Sequence, residues 1–268
     1  MSTPLPVIGL DDLAIAALLL LVNGALSVWY RLGLERQLLI ASLRMIVQLA
    51  LVGLILRWLF LDAAPFWTAV AAVVMVAVAG HEAMARQERR LAGWWGYGVG
   101  ATAMLAAGFL VTLMGLTVFV QPDPWYDPRF AIPLLGMILG NTLTGVGLGL
   151  HTLTVSAWRD RVAIETRLAL GATRGQAMHG VVRGALRTAM IPIVNSMAAT
   201  GLVFLPGMMT GQILAGVDPI LATKYQLLVT VLIAAGTGFG VLAAVLAGSR
   251  RLTDARHRLR LDRLADAL

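Results

Sequence analysis

Long apolar runs alternate with short polar interruptions along most of the chain. Seven apolar segments cover about residues 13–30, 38–60, 66–84, 99–120, 132–155, 189–205 and 225–247. Because a helix rises 1.5 Å per residue, each segment approaches the roughly 30 Å of hydrocarbon in a bilayer. Lipid cannot satisfy free backbone groups, and no ten-residue alternating pattern indicates a barrel. The pattern predicts an all-α polytopic membrane protein with about seven transmembrane helices in one transmembrane domain, residues 1–268.

The composition agrees with this prediction. The chain is 59% hydrophobic and 13% charged, with a mean hydropathy of +0.81, which lies outside the range of soluble globular domains. Cysteine is absent, so disulfides, thiolate metal sites and cysteine nucleophiles are excluded. Asp11 and Asp12 stand where a secretory signal would carry positive charge, and we therefore expect the first segment to be a retained span.

The basic residues predict an orientation. With seven spans, most of the 21 lysines and arginines fall on one side, in clusters at residues 31–36, 86–90, 159–187 and 250–263. Positive residues accumulate on the cytoplasmic side of membrane proteins, so we expect the N-terminus outside and the C-terminus inside. The net charge of +7 is thereby explained without a nucleic-acid partner. The opposite side collects Asp11, Asp12, Asp62, Asp123, Asp127 and Asp218.

The longest polar interruption, residues 159–187, is predicted to be a cytoplasmic coupling element between spans five and six. Asp160 can cap a short helix, Gly171 suits the left-handed position that ends it, and Thr173 can cap the next helix. The second helix then leads into span six. The alternative is an ordinary basic loop held on anionic lipid headgroups.

The short helix of this element should be two-sided. Val162, Leu168 and Ala169 are expected on one face, and Arg161, Glu165 and Arg167 on another, so that one side lies on lipid while the other meets a partner. The residues that would transmit motion from such a partner are Glu165, Gly171, Thr173 and Arg174.

Several polar side chains lie inside the apolar segments, where facing lipid is costly. Each can form a hydrogen bond between helices, and as a group on several helices they favour a translocation pathway. Glycine pairs such as Gly145/Gly149 and Gly236/Gly240 have the spacing of close helix packing. The candidate pathway residues in the spans are Arg44, Gln48, Asn141, Asn195 and Thr200.

Residues 206–218 are predicted to form a re-entrant or outer-leaflet segment. Pro206 and Gly207 interrupt span six, the next ten residues are too few to cross a bilayer, and Asp218 with Pro219 can start a new helix. Met208, Met209 and Gln212 would then lie near an outer gate. Thioethers suit soft metals, although methionine more often packs in a core, and the metal ligands are unknown from the sequence.

The last segment, residues 249–268, is predicted to be a basic cytoplasmic tail. Arginines alternate there with Leu252, Leu259, Leu261 and Leu264, a pattern typical of an amphipathic basic helix or a frayed one. We expect it to be anchored at the lipid surface.

These motifs resemble those of a known family. The Glu165–Gly171 spacing is similar to the coupling loop of ABC permeases, although the Ile-x-Leu-Pro that closes the importer loop is missing. The runs at residues 140–145, 192–197 and 205–216 resemble the FetB-type permeases, described as iron exporters. The resemblance implies a homodimeric permease in the bacterial inner membrane that exports a metal such as iron, driven by a separate ATPase subunit that binds ATP and Mg.

The chain itself lacks the sequence for ATP hydrolysis. A P-loop needs Gly-Lys-Ser/Thr, and the one lysine, Lys224, lies between Thr223 and Tyr225. We therefore expect no cofactor in this chain and no enzymatic activity of its own.

Two other functions remain open. An ion-coupled secondary transporter would need acidic residues deep in its spans, and no Asp or Glu lies deep within any of the segments. An intramembrane hydrolase would need a paired nucleophile and base, for which Ser196 and His151 are the candidates without a pattern that joins them.

Overall fold

The computed structural model describes residues 9–62, 64–85, 87 and 89–265, and this part of the chain contains helices and no strand. The all-α prediction is confirmed. The helices are α1 (Leu10–Trp29), α2 (Glu35–Asp62), α3 (Pro65–Ala85), α4 (Trp94–Met114), which continues as a π-helical turn (Gly115–Val120), α5 (Pro128–Arg159), α6 (Arg161–Ala169), α7 (Arg174–Ala199), α8 (Gly207–Leu214) and α9 (Pro219–Arg251), and a 3-10 turn follows (Leu261–Arg263).

Six of the described helices are long and apolar enough to cross a membrane, namely α1, α2, α3, α4 with its π-helical turn, α5 and α9. The predicted segment 189–205 differs. It is the second half of α7, which begins at Arg174 and contains Pro192. The helix ends at Ala199, and a turn with Gly201 at φ +85° follows. The multi-pass architecture is confirmed, whereas the seventh crossing stays a prediction.

The chain forms two compact units. Unit 1 contains α1, α2 and residues 214–216, and unit 2 contains the other described residues. In unit 1, α1 contacts α2, and the hydroxyl of Ser27 closes the turn between them by donating to Glu35 Oε2 (3.0 Å) and accepting from the Leu34 N–H (3.0 Å). Most apolar side chains of both helices are exposed, which suits helices that lie in lipid or against another chain.

Helix α5 is the centre of unit 2 and contacts α3, α4, α7 and α9. Its inward side chains, among them Ile138 and Leu153, are fully buried. The predicted glycine seams are confirmed, because a Cβ on Gly145 would lie 2.8 Å from Val241 Cγ2 and one on Gly240 would lie 2.5 Å from Thr142 Cγ2. Small residues thus let α5, α7 and α9 approach closely.

Unit 2 has two distinct ends. Residues 89–93, 157–176 and 250–265 form the arginine-rich end, where Thr154 Oγ1 donates to the carbonyl of Arg89 (2.7 Å). Residues 120–130, 206–213 and 217–219 belong to the opposite end, where the first turns of α5 and α9 line one cavity with α8. Helix α7 begins at the arginine-rich end and leads toward α8. The chain therefore passes between the two ends five times, in α3, α4, α5, α7–α8 and α9.

The tail prediction is wrong in its secondary structure. Helix α9 ends at Arg251, and the chain then folds back on the protein instead of forming a helix on lipid. Leu252 is fully buried, and Leu259 and Leu264 pack against the core cluster. The Ala92 N–H donates to the carbonyl of Arg263 (2.7 Å). The leucines that predicted an amphipathic surface are therefore used in tertiary packing. Residues 266–268 of the predicted tail lie outside the described residues.

Candidate functional site

The turn chemistry predicted for the coupling element is present. Gly171 has φ +91°, a conformation in which a Cβ would be strained. Thr173 caps α7 with a capping box: its hydroxyl accepts from the Gln176 N–H (3.4 Å), and its own N–H donates to Gln176 Oε1 (2.9 Å). The element is therefore a short helix, a glycine turn and a capped long helix, as predicted.

The role expected for Asp160 is wrong. It occupies the cap position of α6, but its side chain makes no cap hydrogen bond. Its carboxylate accepts instead from Arg159 Nε (2.9 Å), and this hydrogen bond lowers the pKa of Asp160. The cause is local: φ −93° and ψ 16° lie in the bridge region instead of the extended region typical of an N-cap, and Asp160 is the one residue between α5 and α6.

The faces of α6 also differ from the prediction. Ile164 is the buried anchor, with 2% of its surface exposed, and Leu168 packs beside it. Val162 is 68% exposed and Leu170 at the end of the helix is 83% exposed. The spacing of four between Ile164 and Leu168 is the sequence signal that would have identified the inner face.

The tail completes this surface. The backbone N–H of Arg174 donates to Nδ1 of His257 (3.0 Å). Glu165 shares a cavity of about 350 Å³ with His257 and Arg258. Two of the four predicted coupling residues, Glu165 and Arg174, thus meet a segment more than 80 residues away. Sequence spacing carries no signal for such a contact, and His257 was not identified in advance.

Stacking and ion pairs hold the arginine-rich end together. The guanidiniums of Arg89 and Arg161 lie 4.2 and 5.0 Å from the ring centroid of Trp158. In the tail, Arg260 hydrogen-bonds the carboxylate of Asp262 (2.8 Å) and thereby lowers the pKa of Asp262 to about 2.

Asp254 organises the turn that carries His257. Its Oδ1 accepts from the backbone N–H groups of Arg256 and Arg258 (both 2.9 Å), and its Oδ2 accepts from Arg258 Nε (2.8 Å). The backbone hydrogen bond from Arg258 is the main cause that lowers the pKa of Asp254. A single carboxylate thus fixes the segment that contacts the start of α7.

A cavity of about 530 Å³ lies at the opposite end, between α8 and the first turns of α5 and α9. Asp218 and Pro219 start α9 as predicted, with Asp218 Oδ1 accepting from the N–H groups of Ile220 (3.0 Å) and Leu221 (3.1 Å). Among the gate candidates, Met208 and Gln212 line the cavity, and Met209 does not.

The cavity wall is mostly apolar with a few polar groups. Besides Gln212, the polar side chains are Arg129 and Tyr225, and Met137 adds a second thioether to that of Met208. Gln212 Oε1 is buried and has no hydrogen-bond partner among the described residues. A few convergent polar groups in an apolar cavity are typical of a binding site for a small ligand.

A second groove, of about 300 Å³, lies between α3, α4 and α5 at the same end, and its lining includes Thr112, Trp125 and Tyr126. The hydroxyl of Thr112 is also buried without a partner in the described chain.

The polar residues inside the helices are not gathered at this cavity. Asn141 Nδ2 donates to the carbonyl of Met137 (2.9 Å), and Thr200 Oγ1 donates to that of Ser196 (2.7 Å), so both bond within their own segment. Asn141 and Asn195 are exposed on α5 and α7, and Arg44 and Gln48 are exposed on α2 in unit 1. Their part in a pathway stays a prediction. Within the described ranges, no group of three His, Asp or Glu side chains could hold a metal ion.

Comparison with known proteins assigns the chain to a family. The family described as "Uncharacterised protein family (UPF0014)" matches residues 10–253. The chain belongs to the UPF0014 family of membrane proteins. The UPF0014 membrane protein slr1647 of Synechocystis sp. is 39% identical over 231 residues, which cover 84% of this chain and 87% of the relative. The UPF0014 membrane protein STAR2 of rice is 37% identical over 225 residues, which cover 83% and 76%.

A bacterial relative connects this UPF0014 chain with transport. The "Probable iron export permease protein FetB" of Escherichia coli is 31% identical over 249 residues, which cover 93% of this chain and 94% of the relative. The resemblance to FetB-type permeases is therefore confirmed. No solved structure matches the chain.

Proposed function

We propose that this chain is the permease subunit of an ATP-binding-cassette transporter that exports a metal ion such as iron. It works as a homodimer in the bacterial inner membrane, and a separate ATPase subunit binds ATP and Mg. The family relationship supports a transport permease, and the cargo follows from the name of the Escherichia coli relative alone. The observation that carries the proposal is the structure of α6 and its junction with α7.

Helix α6 is both anchored and exposed, as a docking element must be. Ile164 fixes it to the core, while Val162 and Leu170 present apolar surface at a highly charged end of the protein. A protein partner would cover these side chains and be surrounded by the arginines. Displacement of α6 by the partner would pass through Gly171 and the Thr173 cap into α7.

Helix α7 carries this displacement to the membrane-embedded core. Ala185 and Ala189 are fully buried, and the Ala189 side chain lies beside Gly149 of α5. Because packed interiors are bistable and do not deform continuously, a push on the first turn of α7 changes the packing of α5 against α7 and α9. ATP-driven closure of the partner can thus open a route along these helices.

The topology proposed from the sequence is compatible with this mechanism. Five passes in unit 2 and the two helices of unit 1 make seven crossings, with the arginine-rich end in the cytoplasm. The exposed face of α5 carries Asn141 and Thr144, whose polar groups would be costly in lipid. A second copy of the chain or a water-filled route is the expected neighbour of that face.

The test is reconstitution of the chain with its ATPase in vesicles, with iron efflux and ATP turnover measured together. Gly171→Pro cannot adopt φ +91°, because proline fixes φ near −65°. We expect it to lower efflux at least about tenfold while ATP turnover continues, since the motor is intact but disconnected. Gly175→Ala is the matched control, because a Cβ there has open space.

The alternative transporter mechanism gives a different result. If the chain without the ATPase moved iron, and a protonophore abolished this flux at constant ATP, the chain would be a secondary transporter and the proposal would be wrong.

A further inference from the structure

A separate basic cavity of about 270 Å³ lies at the arginine-rich end, between the first turns of α7 and the last turns of α9. Three cationic or protonatable side chains line it, Arg174 and His179 from α7 and Arg250 from α9. Ser249 contributes a hydroxyl group to the same wall, and the hydroxyl of Thr253, another lining residue, donates to the Ser249 carbonyl (3.0 Å). The cavity thus offers several hydrogen-bond donors in one place and has no carboxylate in its lining.

The charges at this cavity are uncompensated. Arg159, Arg258 and Arg260 form ion pairs with neighbouring aspartates. The guanidiniums of Arg174 and Arg250, in contrast, form no ion pair with any described carboxylate. Like charges that share a cavity repel one another, and an anion between them would relieve this repulsion through charge-assisted hydrogen bonds. The cavity is therefore complementary to an oxyanion such as phosphate.

An apolar stripe continues from the cavity along α9. Phe239, Leu242 and Leu246 are 56%, 45% and 38% exposed, and their spacing of three and four places them on one face of the helix. Between Phe239 and Arg250 the helix rises roughly 16 Å, about half the thickness of the hydrocarbon layer. The stripe therefore has the length of one leaflet.

We propose that this groove binds an anionic phospholipid. The phosphate lies among Arg174, His179 and Arg250, and an acyl chain runs along Leu246, Leu242 and Phe239. Basic pockets between helix ends are known to hold anionic headgroups, and the adjoining apolar stripe distinguishes a lipid from a free anion or an acidic protein side chain. The inference depends on α9 crossing the membrane and is independent of the ATPase.

The experiment uses the full chain purified in a neutral detergent and titrated with phosphatidylglycerol or with phosphatidylcholine of the same acyl chains. Native mass spectrometry counts the bound lipids. We expect phosphatidylglycerol to bind more tightly, and Arg250→Gln to weaken its binding about tenfold because one charge-assisted contact is lost. Arg256→Gln removes the same charge from an exposed tail residue that does not line the cavity, and should change binding less than about twofold.

A second pair of variants tests the acyl stripe. Leu246→Ser should weaken phosphatidylglycerol binding, whereas Leu227→Ser, at a 67% exposed position of the same helix that is not part of the stripe, should not. Thermal unfolding of each variant in the same detergent checks that the fold is retained.

Three outcomes would overturn the proposal. Equal binding of the two lipids would show no headgroup selection. Displacement of the lipid by inorganic phosphate, together with no effect of Leu246→Ser, would indicate a free-anion site. Unchanged lipid binding by Arg250→Gln with weaker association of the ATPase or of a second copy would indicate a protein interface.

Discussion

The two ends of unit 2 differ in how distant segments meet and in what lines their cavities. At the arginine-rich end, segments that are distant in sequence fill one another's space: Leu252 of the tail and Ile164 of α6 are buried in the same core cluster, and the tail hydrogen-bonds the loop between α3 and α4. Both ends contain cavities. Those of about 270 and 350 Å³ at the arginine-rich end are lined by charged side chains, whereas those of about 300 and 530 Å³ at the opposite end are mostly apolar, and buried oxygens of Thr112 and Gln212 there lack partners among the described residues.

Under the proposed function, this difference gives the two ends separate tasks. An end whose distant segments share one core cluster and are joined by hydrogen bonds can pass on a displacement as one body, because that core cannot absorb it. Mostly apolar cavities with unsatisfied polar atoms can rearrange around a ligand. The arginine-rich end is thus suited to receive a push, and the opposite end is suited to bind and release cargo.

The largest expected effect is the loss of stability caused by removing Ile164, the buried side chain that anchors α6. Ile164→Ala should destabilise the arginine-rich end by about 2–5 kcal/mol, because it removes a fully buried side chain and leaves a cavity. Hydrogen exchange of residues 161–176 and 252–265 in detergent would show the loss. Val162→Ala, at an exposed position, should change stability by less than about 0.5 kcal/mol but weaken association of the ATPase. Equal exchange in the two variants would contradict the packing described for this end.

Replacing an unsatisfied polar side chain at the opposite end should raise stability instead of lowering it. Gln212→Leu removes a buried oxygen without a partner, and we expect it to raise the free energy of unfolding by about 1 kcal/mol while lowering metal efflux. Thr112→Val removes the buried hydroxyl without a described partner in the other groove. It should stabilise the fold without loss of metal efflux. Thermal unfolding and vesicle efflux measure the two effects. A destabilised Gln212→Leu variant would mean that the amide has a structural role.

The cap of α7 should have a smaller effect. Thr173→Ala removes the hydroxyl that accepts from Gln176, which should cost about 1 kcal/mol and fray the first turn of α7. Thr173→Ser keeps the hydroxyl and serves as the control. Hydrogen exchange at residues 174–178 would report the fraying, and protection equal to that of the unaltered protein would show that the cap is dispensable.

Acidification should have the smallest effect, confined to the tail. Hydrogen bonds from neighbouring groups lower the pKa of Asp254 and bring the pKa of Asp262 from 3.8 to about 2. A carboxylate with a lowered pKa in the folded state stabilises it above the unfolded pKa, and this contribution is lost as the pH falls through the folded value. Pepsin should therefore cleave the tail faster near pH 2 than near pH 3.8. Relative to an unfolded control peptide, which corrects for pepsin's own pH dependence, a variant with Asp254→Asn and Asp262→Asn should be cleaved at the same rate at both pH values.

The sequence predicted what local chemistry decides. The left-handed Gly171, the caps at Thr173 and Asp218 and the glycine seams all depend on the backbone or on helix spacing, and all were confirmed. The prediction that Asp160 caps α6 was wrong because the adjacent Arg159 binds its carboxylate. The prediction of an amphipathic helix in the tail was wrong because the same leucine pattern fits a lipid surface and a protein core equally well. Contacts between distant segments, such as that of Arg174 with His257, cannot be derived from spacing.

Pro192 in α7 has a mechanical consequence. Proline has no N–H, so the carbonyl of Thr188 loses its usual partner and the helix can bend at this point. The part of α7 before Pro192 is joined to the coupling element, and the short part after Pro192 carries Asn195. A tilt of the part before Pro192 therefore need not tilt the part after it by the same angle. Helix α7 can thus bend at Pro192 and pivot about the contact between Ala189 and Gly149.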